Sequence, residues 1–108
     1  MANFPQAASV FSALGDPTRL AVVERLARGP ASVSELSAPF AIAGPSFLKH
    51  LRVLEEAGLV TSEKHGRVRT VQLSPAALDR VEDWVIQHRR GWARRLDDLG
   101  QFLKEGNN

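Results

Sequence analysis

Gly44-Pro45-Ser46-Phe47-Leu48-Lys49-His50-Leu51-Arg52-Val53-Leu54-Glu55-Glu56-Ala57-Gly58-Leu59-Val60 is the stretch on which the fold turns. Phe47, Leu51 and Leu54 recur at steps of four and three, so they share one face of a helix. Pro45 suits the first helical position, because its missing N–H has no partner there in any case. Gly58 stands where a left-handed residue closes a helix. The opposite face offers Ser46, Lys49, His50 and Arg52. A slim helix anchored on one side and polar on the other can enter a major groove with its first residues at the base edges. Gly44 and Pro45 leave its start bare, and free amides there suit a phosphate.

Working outward, Ser32-Val33-Ser34-Glu35 fits a capping box and opens a short helix through Leu36, which Pro39 limits. Phe40-Ala41-Ile42-Ala43 is a tight connection to the helix at 44. On the other side, two β-branched runs, Leu59 to Lys64 and Arg67 to Leu73, flank His65-Gly66 and predict a hairpin. Its tip carries Lys64, His65, Arg67 and Arg69, suited to flanking backbone or minor groove. Two short helices, a tight turn and a basic hairpin make a helix-turn-helix with a β-wing. Before them, Ala7 to Leu14 predicts a helix with Val10, Phe11 and Leu14 on one face. Asp16-Pro17 opens a second helix, with Leu20, Val23, Leu26 and Ala27 as its buried stripe and Gly29-Pro30 as its stop. After the hairpin, Ser74-Pro75 caps a long helix to Lys104, about 45 Å at 1.5 Å per residue. Leu78, Val81, Val85, Trp92, Leu96, Leu99 and Leu103 form its apolar stripe, flanked by Trp84 and Phe102. The expected fold is mainly α with a small β-hairpin: a winged helix-turn-helix of four helices, two strands and a fifth helix, as one domain over residues 1–108.

Composition sets the bounds. A chain of 108 residues makes one small core, and so short a chain gains from pairing with a second copy. Absence of cysteine excludes disulfides, thiolate metal ligands and thiol switches. The first residues lack the basic region of a signal peptide, and no apolar run has the length of a membrane span, so a cytoplasmic location is expected. The net charge of +2 is uninformative, but its distribution is not. Residues 1–44 and 74–108 are each balanced. The excess falls in 45–73, where Lys49, Arg52, Lys64, Arg67 and Arg69 stand against Glu55, Glu56 and Glu63. A local excess steers a phosphate backbone even when the total is near zero. No nucleophile elbow, phosphate loop, zinc-protease or dinucleotide motif is present, so no enzyme is expected.

Leu36 through Leu59, with Pro45-Ser46-Phe47-Leu48-Lys49-His50-Leu51 and Leu54-Glu55-Glu56-Ala57-Gly58-Leu59-Val60, resembles the helix-turn-helix of the ArsR/SmtB family. Leu14-Gly15-Asp16-Pro17-Thr18-Arg19 resembles the family's start of the second helix, and Ser74-Pro75 with the long last helix its end. The resemblance implies a homodimeric winged-helix repressor that binds double-stranded DNA, with the first and last helices as dimer interface. That interface is expected to use Val10, Phe11, Trp84, Val85, Trp92, Leu96 and Leu99. The expected DNA contacts are Gly44, Pro45, Ser46, Leu48, Lys49, His50 and Arg52 on the helix, and Lys64, His65, Arg67 and Arg69 on the wing. The family's metal sites do not carry over. Ser32, Val33, Ser34 and Glu35 occupy the places of its thiolate run, and serine is a poor ligand for soft metals. The last helix has one histidine, His88. The chain therefore resembles a metal-independent branch, and no cofactor is expected.

Three residues stay open at this level. His50 either touches DNA or bonds locally. Leu48 either meets a thymine methyl or tucks into the core beside Leu51. Gly91 either admits a close helix or marks a kink. Arg89-Arg90 and Arg94-Arg95 alternate with acidic pairs, which predicts an exposed, salt-bridged face. The alternative to a DNA-binding regulator is a winged helix used only for protein contacts.

Overall fold

A computed structural model describes residues 5–106 of the chain, with side chains from Ala7 onward. The elements run α1 (Pro5–Leu14), α2 (Pro17–Leu26), β1 (Ala31–Ser32), α3 (Val33–Ser37), α4 (Gly44–Glu56), β2 (Val60–His65), β3 (Val68–Leu73) and α5 (Pro75–Gly106). Local chemistry sets most of these limits. Asp16 caps α2, its Oδ2 accepting from the amides of Thr18 at 2.9 Å and Arg19 at 3.1 Å. Ser32 and Glu35 close a reciprocal capping box on α3. Gly58, at φ 75°, ends α4. The Leu59 amide reaches back to the Leu54 carbonyl and the Gly58 amide to Glu55. That is the two-bond Schellman closure, sealed by contact between residues on either side of the cap. Leu54 and Leu59 are both fully buried.

The hairpin is part of a three-stranded antiparallel sheet in the order β1-β3-β2. Nothing in the sequence anticipates β1. It has two residues, too few to show a period, and pairs Ala31 with Val71 and Ser32 with Thr70. The hairpin turn also lies one residue later than expected. His65 pairs with Val68, which leaves Gly66-Arg67 as the turn. Gly66 has φ 63°, and among the described residues no other residue type adopts positive φ. A glycine at the first central position is the requirement of a type II′ hairpin turn.

The core gathers Phe47, Leu51 and Leu54 of α4 with Val10, Ala13, Val22, Val23, Leu26, Leu36, Leu59, Val60 and Val71. The expected stripe of α2 is corrected by this. Val22 is buried, whereas Leu20 is 41% exposed and Ala27 is exposed. Val22, Val23 and Leu26 lie on one side of the helix, and Leu20, one turn before Val23, falls at the edge of that face, far from Val22. α5 is seated by Ala77 and Val81 and touches α1. There the Phe11 and Trp84 rings meet edge to face at 5.0 Å. Beyond that contact α5 leaves the body, which accounts for extents of 72 × 29 × 22 Å. It runs unbroken through Gly91, so the glycine marks no break in the helix. No helix among the described residues is long and apolar enough to cross a membrane.

Candidate nucleic-acid interface

α4 turns Phe47, Leu51 and Leu54 inward and leaves Gly44, Pro45, Ser46, Leu48, Lys49 and Arg52 exposed. Its start differs from those of α2 and α3. Ala43 provides no side-chain cap, so the first amides keep their donors free, as helix geometry dictates. Leu48 is 51% exposed and faces the wing rather than the core.

Sheet register sorts the wing. Val60, Ser62 and Lys64 on β2 share a face with Leu73, Val71 and Arg69 on β3, and burial of Val60 and Val71 shows that this face meets the body. Lys64 and Arg69 are direct cross-strand partners at its outer end. Like charges placed opposite one another destabilise a hairpin, so this pair works against the wing's own stability. Thr61, Glu63, His65, Thr70 and Gln72 line the reverse face. His65 is therefore turned away from α4, and its Nε2 lies 3.2 Å from Glu63 Oε2. The expectation that His65 joins the other tip cations is corrected accordingly. Ser32, Val33, Ser34, Leu48, Lys64, Arg67, Val68 and Arg69 enclose a concavity of about 510 Å³ between α3, α4 and the wing. Leu48 and Arg69 also border a second hollow with Leu51, Arg52 and Glu55. Among the described residues, the side chains of Lys49, Arg52, Lys64, Arg67 and Arg69 make no hydrogen bond or ion pair.

His50 is drawn into the protein instead. Arg19 of α2 donates from Nη1 to His50 Nδ1 at 3.1 Å, from Nε to the Ala13 carbonyl at 2.6 Å, and from Nη2 to the Ser12 carbonyl at 3.4 Å. Asp16 Oδ2 stands 3.7 Å from the same imidazole nitrogen. The local alternative for His50 is the one realised. In accepting from a guanidinium, Nδ1 carries no proton, so the neutral ring is protonated at Nε2. The Arg19 amide holds the Asp16 carboxyl below the usual carboxylate range against partial desolvation, with help from the nearby His50, the Arg19 charge and the Thr18 amide. In the sequence Asp16 reads as a cap only, and Arg19 carries no assigned role. Arg19 meets a residue 31 positions away, which leaves no local signal.

At the other end of the molecule Phe11, Val85, Trp92, Leu96 and Leu99 are exposed, and Trp84 is half-buried against Phe11 and His88. Val10 is corrected: at 2% exposure it belongs to the chain's own core and has no surface for a partner. The spacing Ala7-Val10-Ala13 faces inward and Phe11 outward. Exposed Phe102 and Leu103 extend the stripe. Arg89, Arg90, Arg94 and Arg95 are exposed, but none makes an ion pair among the described residues, so that face is not salt-bridged as expected.

A reading helix with a bare start, supported by a second short helix and flanked by a cationic wing, defines a winged-helix DNA-binding protein. A helix-turn-helix domain family matches residues 14–63. The chain is 35% identical, over its whole length and 99% of the relative, to the HTH-type transcriptional regulator Rv2034 of Mycobacterium tuberculosis. It is 27% identical over 72% of its length to the transcriptional repressor SdpR of Bacillus subtilis, covering 87% of that protein. Among solved structures, an ArsR family transcriptional regulator superposes with a TM-score of 0.80 at 47% identity, over 86% of this chain and 97% of the other. An ArsR-like regulator from Rhodococcus gives 0.77 at 32% identity, over 92% and 93%. The chain belongs to the ArsR family of winged-helix transcriptional regulators, which are not enzymes.

Proposed function

We propose that this chain is a single-domain, cytoplasmic homodimer that represses transcription by binding an inverted repeat, without sensing a metal. The observation that carries the DNA surface is the set of unpartnered cations Lys49, Arg52, Lys64, Arg67 and Arg69 on α4 and the wing. In this reading Gly44, Pro45, Ser46, Leu48 and Lys49 enter the major groove, and Arg67 and Arg69 neutralise phosphate. Two-fold symmetry then sets the two reading helices about 10 base pairs apart. The exposed stripe of α5 with Phe11 supports a second copy as partner.

The metal-free reading rests on what the candidate ligands do. Ser32 and Glu35 are committed to each other: the Ser32 amide donates to Glu35 Oε1 at 3.3 Å and the Glu35 amide to Ser32 Oγ at 3.1 Å. His88 stacks on Trp84 and places Nδ1 2.8 Å from its carbonyl oxygen. The deciding experiment is fluorescence anisotropy of the purified protein on its selected operator and on random duplex across a salt series. Lys49→Ala should lose affinity mainly for the operator. Arg69→Ala should weaken both and flatten the salt slope by about one for each phosphate left unneutralised. If both variants bind like wild type, the surface is misassigned and protein contact becomes the better account.

A further inference from the structure

Leu48 is an apolar side chain in a cationic setting. Phe47, Leu51 and Leu54 already fill the anchoring face of α4, and Leu48 adds nothing to the core. With Val33, it forms an apolar floor to the concavity whose rim is Lys64, Arg67 and Arg69. Leu48 is itself 51% exposed. Repulsion between Lys64 and Arg69 and hydration of the Leu48 side chain both disfavour this surface in water. Both costs are removed by one kind of occupant, which brings anionic groups to the rim and an apolar group to the floor. Duplex DNA has that pattern at thymine alone. Its C5-methyl projects into the major groove, whereas cytosine presents an N4 donor and no methyl.

We propose that Leu48 reads thymine through its C5-methyl group, one thymine in each half-site, while Arg67 and Arg69 hold the adjoining phosphates. The proposal rests on the DNA-binding reading of α4 given above and adds the chemical feature that is recognised. Covering one methyl group should strengthen binding about fourfold per half-site.

The test uses duplexes selected by the protein itself from a random-sequence library. Each thymine is replaced in turn by deoxyuridine, which keeps every hydrogen-bonding group and removes only the methyl. Wild type should show one position in each half-site where uracil weakens binding about fourfold. Leu48→Ala should bind thymine and uracil duplexes equally at that position while keeping the wild-type salt slope and melting temperature. A selected site without any uracil-sensitive thymine overturns the proposal, and so does a Leu48→Ala protein with undiminished sensitivity. If wild type selects no sequence at all, the DNA-binding reading itself falls, and a small amphiphilic anion becomes the better occupant of the concavity.

Discussion

Replacing Leu96 by glutamate together with Trp92 by alanine tests the dimer where α5 is barest. Leu96 is 58% and Trp92 61% exposed in the single chain, and Leu99, Leu103 and Phe102 are exposed beside them. Fully burying a leucine stabilises by roughly 1.5–3 kcal/mol, so covering what remains of Leu96 contributes about 1 kcal/mol per copy. A carboxylate in its place loses that and adds a desolvation cost of at least about 1 kcal/mol. The residue occurs twice in a symmetric pair, so the glutamate alone should weaken the dimer by about 4 kcal/mol, near a thousandfold. Loss of Trp92 adds to this. The body of the fold does not use either side chain, and its melting should be retained. The projecting part of α5 has no support within its own chain, and an isolated helix of that length is marginal in water. Helicity over residues 91–106 should therefore fall when the partner is lost. Sedimentation velocity and far-ultraviolet circular dichroism read the two effects. An unchanged dimer mass would show that the interface lies elsewhere and that the stripe has another purpose.

Other consequences follow from the site. His50→Ala removes the acceptor for Arg19 and should destabilise the fold by about 1 kcal/mol and loosen α4. His50→Gln, whose amide oxygen can accept the same bond, should restore both melting temperature and operator affinity. Equal melting of the two variants would deny the Arg19–His50 bond a role. Asp16 and Glu35 both have lowered pKa values. For Glu35 the Ser32 amide and hydroxyl are the main causes, with the Arg25 charge behind them. Each carboxylate is ionised more readily in the folded state. Its contribution is thus complete above the unfolded pKa of about 4 and fades as pH falls through the lower folded value. Denaturant midpoints should decline below about pH 4. Ser32→Ala should lower stability by roughly 1 kcal/mol near neutrality and flatten part of that acid decline. Stability independent of the variant at every pH would contradict the capping box. Operator binding should be unmoved by zinc, cadmium, arsenite or chelator, and a tight stoichiometric isotherm that releases DNA would refute the metal-free reading.

Much of this architecture is legible in the residues. The α4 periodicity, Pro45 and Gly58, the capping box at Ser32 and the hairpin all follow from interactions within a few positions of chain. So do the cationic excess over 45–73 and the absence of thiol chemistry. The misreadings share a cause. Leu20 and Val22 are both apolar residues on α2, and only packing against the rest of the core decides which of them is covered. β1 exists because β3 lies beside it. His65 and Lys64 are neighbours in sequence, but pleating sends them to opposite faces once the turn settles on Gly66-Arg67. The position of Leu48 on the wing side of α4, and the burial of Val10 within its own chain, likewise depend on elements distant in sequence. The link from Asp16 and Arg19 to His50 joins α2 to α4 and leaves no periodic trace. Sequence determined what forms locally, because caps, turns and helical period are short-range interactions. Tertiary structure alone decided which side chains of an apolar or polar set meet the core, one another or solvent, because that depends on the surfaces brought against them.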